Sequence, residues 1–143
     1  MILSVLLSLN FAFAGLGEPK SSVMNDRDRI DAKVIVSHQQ YDNYSIDEIL
    51  IGKNKIKEFI SLSGTVFAIA WTGKAHPDLS KLLGSYWGEY SQSVKNQSTH
   101  HRTQGKTQTN NIVVEKSGHM RALTGRAYIP SLLPLGIAVD EIK

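Results

Sequence analysis

The chain has 143 residues, 41 % of them hydrophobic, with 16 basic and 13 acidic side chains and no cysteine. The absence of cysteine excludes disulfides, thiolate metal sites, cysteine nucleophiles and a lipidated N-terminal cysteine, so a domain of this size rests on its apolar core alone. The formal charge of +3 is uneven: six cations stand against Glu115 alone between Lys95 and Arg126, which favours an anionic partner there, although a solvated basic face is the plainer reading of such a run.

The first 14 residues read as a secretory signal, an apolar run over residues 2–11 followed by Ala12-Phe13-Ala14, a small-x-small motif that places cleavage before Gly15. The run is shorter than the roughly 20 residues that span a bilayer. Ser4, Ser8 and Asn10 interrupt it, and the usual Lys or Arg ahead of it is missing. The expected product is a periplasmic or secreted protein with no transmembrane segment after signal cleavage and one domain over residues 15–143. Export also weighs against a nucleic-acid partner.

Residues 21–32 suit a short polar helix, with Val23 and Ile30 on one stripe and Ser21 or Ser22 as cap. Extended segments follow at 33–41, 44–51 and 55–62, punctuated by Asp42-Asn43, Gly52-Lys53-Asn54 and Ser63-Gly64. Links this short join antiparallel neighbours. Residues 65–71 are apolar almost without a break, the mark of a strand covered on both faces, and complete a four-stranded meander. Strict alternation sends Phe67, Ile69 and Trp71 one way and Val66, Ala68 and Ala70 the other. The small alanine face predicts that a helix crosses the strand closely.

After His76-Pro77-Asp78, the residues Leu79, Leu82, Leu83, Tyr86, Trp87, Tyr90 and Val94 recur at three- and four-residue intervals. This is one face of an amphipathic helix over 79–94, with Pro77 and Asp78 suited to its first turn. Gly84 and Gly88 inside it each cost about 1 kcal/mol relative to alanine, so either the helix is locally loose or, the preferred reading, they are candidate interface positions where another backbone comes close, in the sheet or in a neighbouring chain. The aromatic residues Trp71, Tyr86, Trp87 and Tyr90 read as core rather than as a stacking platform. Residues 95–110 carry no apolar side chain and read as a polar loop.

A second hairpin follows, with strands over 111–116 and 119–129, a turn at Ser117-Gly118 and a candidate bulge at Gly125. Pro130 and Pro134 end regular pairing, and the apolar tail 132–139 is expected to pack back on the domain. The fold class expected is α+β, an antiparallel sheet made of the meander and the C-terminal hairpin. One amphipathic helix packs on one face, and a short N-terminal helix precedes the sheet.

Gly64-Thr-Val-Phe-Ala-Ile-Ala-Trp71, Pro77-Asp-Leu79, Leu82-Leu-Gly-Ser-Tyr-Trp87 and Gly118-His-Met-Arg-Ala-Leu-Thr-Gly-Arg-Ala-Tyr-Ile-Pro130, in that order, closely resemble an exported family of Gram-negative bacteria known only as a domain of unknown function (number 2844). The resemblance covers nearly the whole chain after Ala14. It implies an envelope or secreted location and one domain, with no activity, cofactor or catalytic residue to carry over. The polar stretch 95–110 departs from the family pattern.

The residues with most chemical potential are His119, Arg121, Arg126 and Tyr128. On an unbroken strand His119 and Arg121 share one face and Arg126 and Tyr128 the other; a bulge at Gly125 would bring all four to one side, where forked guanidinium donors suit an anionic group. The competing reading is a strand whose arginines pair with carboxylates such as Glu48 or Glu58 on its neighbours. The sequence therefore points first to a non-catalytic binding module for an anionic ligand or an envelope protein partner. The alternative is a small periplasmic enzyme using His119, Arg121 and Tyr128. No nucleophile elbow, phosphate-binding glycine loop, paired-histidine zinc helix or calcium loop occurs. His100-His101 alone does not make a zinc site, and no cofactor or metal is expected.

Overall fold

The computed structural model describes residues 15–19, 33–97 and 105–143. The expected signal segment 1–14 and short helix 21–32 lie outside the described residues. Among the described residues seven strands form one sheet: β1 (Lys33–Gln40), β2 (Tyr44–Ile51), β3 (Asn54–Ser61), β4 (Val66–Gly73), β5 (Gly105–Gln108), β6 (Val113–His119) and β7 (Ala122–Tyr128). Their spatial order is β1-β2-β3-β4-β7-β6-β5, and all six neighbouring pairs are antiparallel. The meander and the hairpin are thus one surface, joined where β7 docks on β4, and the α+β class holds with one strand more than the sequence predicted.

The added strand comes from the stretch read as a loop. Of its four residues Gly-Lys-Thr-Gln only Thr107 is buried, opposite Val114, so no apolar alternation announces it. What makes it a strand is the open edge of β6, whose backbone groups need partners. Residues 98–104 of that loop lie outside the described residues.

β4 is covered on both faces, with Val66 to Trp71 all at most 3 % exposed. Strict alternation fails at its start: Phe59 pairs with Ala68 and Ile60 with Val66, which leaves Phe67 as an extra residue in a bulge. Phe67 therefore joins Ala68 and Ala70 on one face, while Val66 joins Ile69 and Trp71 on the other. The helix lies on the Ile69 and Trp71 face rather than on the alanine face.

The expected single helix is broken. α1 (Leu79–Leu83) starts with Asp78 as N-cap, its carboxylate accepting from Ser80 N at 3.0 Å, and ends at Gly84, whose φ is +53°. A 3-10 turn (Gly84–Tyr86) leads into α2 (Trp87–Asn96). The break has a steric cause: a Cβ on Gly15 would stand 2.9 Å from Gly84 N and Cα, so two glycine backbones are in contact there. Gly84 does meet another backbone closely, but that of the chain's own N-terminal segment rather than a strand or a neighbouring chain; Gly88 is exposed with open space around it.

Two buried layers result. Leu82, Leu83, Tyr90 and Leu16 close over Ile56, Ile60, Ile69, Trp71 and Val114 on the helix face. On the opposite face Ile142, with Leu133, Ile137 and Val139, covers Phe59, Phe67, Ala68, Ala70, Val113 and Tyr128. The C-terminal tail packs back as its composition predicts, and Ile142, beyond the apolar run, is its most buried residue.

In the second hairpin the turn falls at Met120-Arg121, three residues later than Ser117-Gly118 suggests, and Arg121 takes φ +66°. Nor does Gly125 bulge: it pairs in register with Trp71 on one side and Lys116 on the other. A glycine stands there because the Trp71 indole lies across it; a Cβ would come 2.1 Å from Trp71 Cζ2.

Candidate functional site

Cross-strand pairing places Tyr128, Arg126, Thr124 and Ala122 of β7 on one face with Val113, Glu115, Ser117 and His119 of β6. This is the face covered by the tail. Of the residues singled out in the sequence, Tyr128 is 6 % exposed and belongs to that core. Arg126 is half-buried: its Nε donates to Glu115 Oε2, its Nη1 donates to Val139 O at 2.7 Å, and Asp140 lies 3.9 Å away. One of its cross-strand carboxylates is therefore Glu115, not Glu48 or Glu58. His119 and Arg121 stand exposed at the hairpin tip, about 20 Å along β7 from Tyr128. The four do not converge on one point.

What the structure does bring together is an end of the sheet. Ile51 pairs with Asn54, Asn54 with Gly73, Gly73 with Leu123, and Gly118 with Leu123. The β2–β3 turn with Lys53, the exit of β4 with Lys74 and the β6–β7 turn with His119 and Arg121 therefore emerge side by side. All four side chains are exposed and none is in an ion pair among the described residues; the carboxylate in these connections, Asp78, is engaged at the N-cap of α1, where it accepts from Ser80 N. Met120 projects at the tip, 92 % exposed. One row inward on the tail-covered face, Lys55, Thr72, Thr124 and Ser117 align across β3, β4, β7 and β6.

Two shallow clefts open on that face beside Lys143. One, of about 290 Å³, is lined by Thr72, Glu115, Ser117, Thr124 and Arg126; the other, of about 260 Å³, by Glu48, Lys55, Lys57 and Thr72. Lys57 Nζ donates to Lys143 O at 3.0 Å between them. Each cleft sets a carboxylate beside its hydroxyls and cations, Glu115 paired with Arg126 in one and Glu48 with Lys55 in the other, so the floor is mixed in charge.

A second cluster was missed in the sequence. His38 Nδ1 is 2.5 Å from Asp47 Oδ1, and Asp47 faces Glu58 across β2–β3; the two carboxylates are 1 % and 4 % exposed while His38 is half-exposed. The signal was present, since a hairpin centred on Asp42-Asn43 sets His38 against Asp47. A buried aspartate fixes the ring orientation of such an imidazole. No group of three or more metal-ligating side chains forms among the described residues.

On the helix face Trp71 Nε1 donates to His76 Nδ1 at 3.1 Å. Burial, and then the neighbouring Lys116 charge, hold the His76 pKa below its usual value, so the neutral ring that accepts this bond is favoured. Lys116 itself lies 5.9 Å over the Tyr90 ring. At the other end of the sheet Glu89 accepts from Asn111 N at 3.2 Å and Asn111 Nδ2 at 2.9 Å, tying α2 to the start of β6 and lowering the Glu89 pKa.

No helix among the described residues is long and apolar enough to cross a membrane. The model of a family described as a protein of unknown function (DUF2844) matches residues 12–142. No curated protein and no solved structure matches the chain.

Proposed function

The chain belongs to the DUF2844 family of proteins of unknown function, and from that premise we propose that it is an exported, non-catalytic binding module whose cationic sheet end receives an anionic ligand or an anionic protein surface. The observation that carries this reading is the convergence of Lys53, Lys74, His119 and Arg121 from three connections, with none of the four in an ion pair among the described residues. Charges arranged in this way raise encounter rates with anions and make binding salt-sensitive. Backbone geometry adds support. Arg121 occupies a left-handed position that costs a non-glycine residue about 1 kcal/mol, and strain retained at a charged, exposed tip is a mark of use.

The enzyme reading built on His119, Arg121 and Tyr128 has less to stand on, because the tyrosine is buried in the tail-side core far from the other two. Titration with phosphate, poly-glutamate and phosphatidylglycerol vesicles at low and high salt tests the proposal. Lys74→Ala and Arg121→Ala should each weaken binding to the best probe about fivefold at low salt while leaving the melting temperature within about 2 °C. Binding that ignores both substitutions, or that persists undiminished in high salt, removes the cationic end as the site.

A further inference from the structure

We infer that Gly15 is a processing site whose new α-ammonium becomes a structural group, received by the carboxylate of Glu18 at the break between α1 and α2. The segment 15–19 is part of the fold. Gly15 and Leu16 are buried, with Leu16 0 % exposed. Leu16 N donates to Leu82 O at 2.9 Å, Gly17 N to Val66 O at 2.8 Å, and Val66 N to Glu18 O at 3.0 Å. Gly15 N donates to Glu18 Oε2 at 3.2 Å, and Glu18 N returns a bond to Gly15 O at 3.0 Å. The other carboxylate oxygen, Oε1, reaches over Gly84, where an added Cβ would meet it at 3.2 Å.

Ala12-Phe13-Ala14 places the cut one bond before this turn. Hydrolysis of the Ala14–Gly15 amide by a leader peptidase consumes one water, breaks the C–N bond and leaves a carboxylate on Ala14 and an amine on Gly15 that takes up a proton at neutral pH. A backbone N–H facing Glu18 then becomes an ammonium facing it, and a hydrogen bond in which only the acceptor is charged gives way to one between two opposite charges. The same geometry orders the events. A peptidase must hold the residues beyond the cut in an extended, accessible form, and residues 15–18 are bonded to α1 and β4 in the folded state, so cleavage precedes folding.

The inference uses the export part of the reading above and is independent of the cationic end. Four chains separate the possibilities: one released to begin at Gly15, one released to begin at Ala12, and each of these with Glu18→Gln. The Gly15 form should melt about 3–6 °C above the Ala12 form, and Glu18→Gln should erase most of that difference. In the folded Gly15 form the α-amine should also acylate at least tenfold more slowly than in the denatured chain, a readout that stands even if Glu18→Gln folds poorly. Equal melting of the two forms, a difference that survives Glu18→Gln, or an amine that reacts as fast folded as unfolded would overturn the inference. N-terminal sequencing of the exported protein tests the cut by itself, and any start other than Gly15 overturns the processing step whatever the melts show.

Discussion

Gly125→Ala is the smallest change that probes how the sheet is built around Trp71. The added Cβ would lie 2.1 Å from Trp71 Cζ2, 2.3 Å from Cε2 and 2.7 Å from Nε1, distances no pair of atoms sustains, so either the indole or β7 must move. Overpacking of this kind costs about 1–3 kcal/mol. Displacing the ring also loosens the Trp71 Nε1 to His76 Nδ1 bond, worth about 0.5–1.5 kcal/mol. The reduced freedom of alanine in the unfolded chain returns about 0.5 kcal/mol. A net loss of about 1–4 kcal/mol lowers the melting temperature by about 3–12 °C for a chain of this length. Thermal unfolding followed by fluorescence in a Trp87→Phe background reads it directly, because Trp71 is 2 % exposed and is then the sole tryptophan. A Gly125→Ala protein melting within 1 °C of its parent with unchanged emission would refute the packing of Trp71 over Gly125.

His76 supplies a pH dependence whose sign is fixed: its folded-state pKa lies below the unfolded value near 6.5, so its contribution is complete above that value and is lost as pH falls through the folded pKa. Urea melts of the parent should weaken from pH 7 to pH 5 more than those of His76→Gln, and parallel profiles would count against the assignment. Ile142→Ala, which opens a cavity beneath the tail where Ile142 is 0 % exposed, should cost about 2–4 kcal/mol in chemical denaturation; a loss below 0.5 kcal/mol would mean the tail does not close that face. Arg121→Gly relieves the left-handed strain at φ +66° and should raise stability by about 0.5–1 kcal/mol while weakening anion binding. An increase in both would separate the strain from the function.

The parts of the fold that the sequence made legible are those with apolar periodicity. The Leu79, Leu82, Leu83 and Tyr90 stripe does close over the sheet, and the continuous apolar β4 is covered on both faces. Three features were illegible for physical reasons. β5 is specified by the open edge of β6 and offers a single buried threonine as its pattern. The break at Gly84 depends on Gly15, some seventy residues away in sequence and in contact only in space. The bulge at Phe67 inverts a face without changing composition.

The candidate site shows the same division. Residue type identified the basic hairpin, whereas register decided which of its cations face solvent. Arg126 is engaged by Glu115 and the tail, and Arg121 is left at the tip. Lys53 and Lys74 join the site only because β2, β3, β4 and β7 end together. His38 and Asp47 were within reach of the sequence, since counting outward from the Asp42-Asn43 turn pairs them.

The most direct test of the cationic end is a residue-resolved one: amide chemical-shift mapping of the isotope-labelled protein during titration with the best of the anionic probes at low salt. The account predicts that the shifts concentrate at residues 52–55, 72–75 and 117–124 and that they fade as salt is raised. Shifts gathered instead on α1 and α2, or spread evenly over the sheet with no salt dependence, would contradict it.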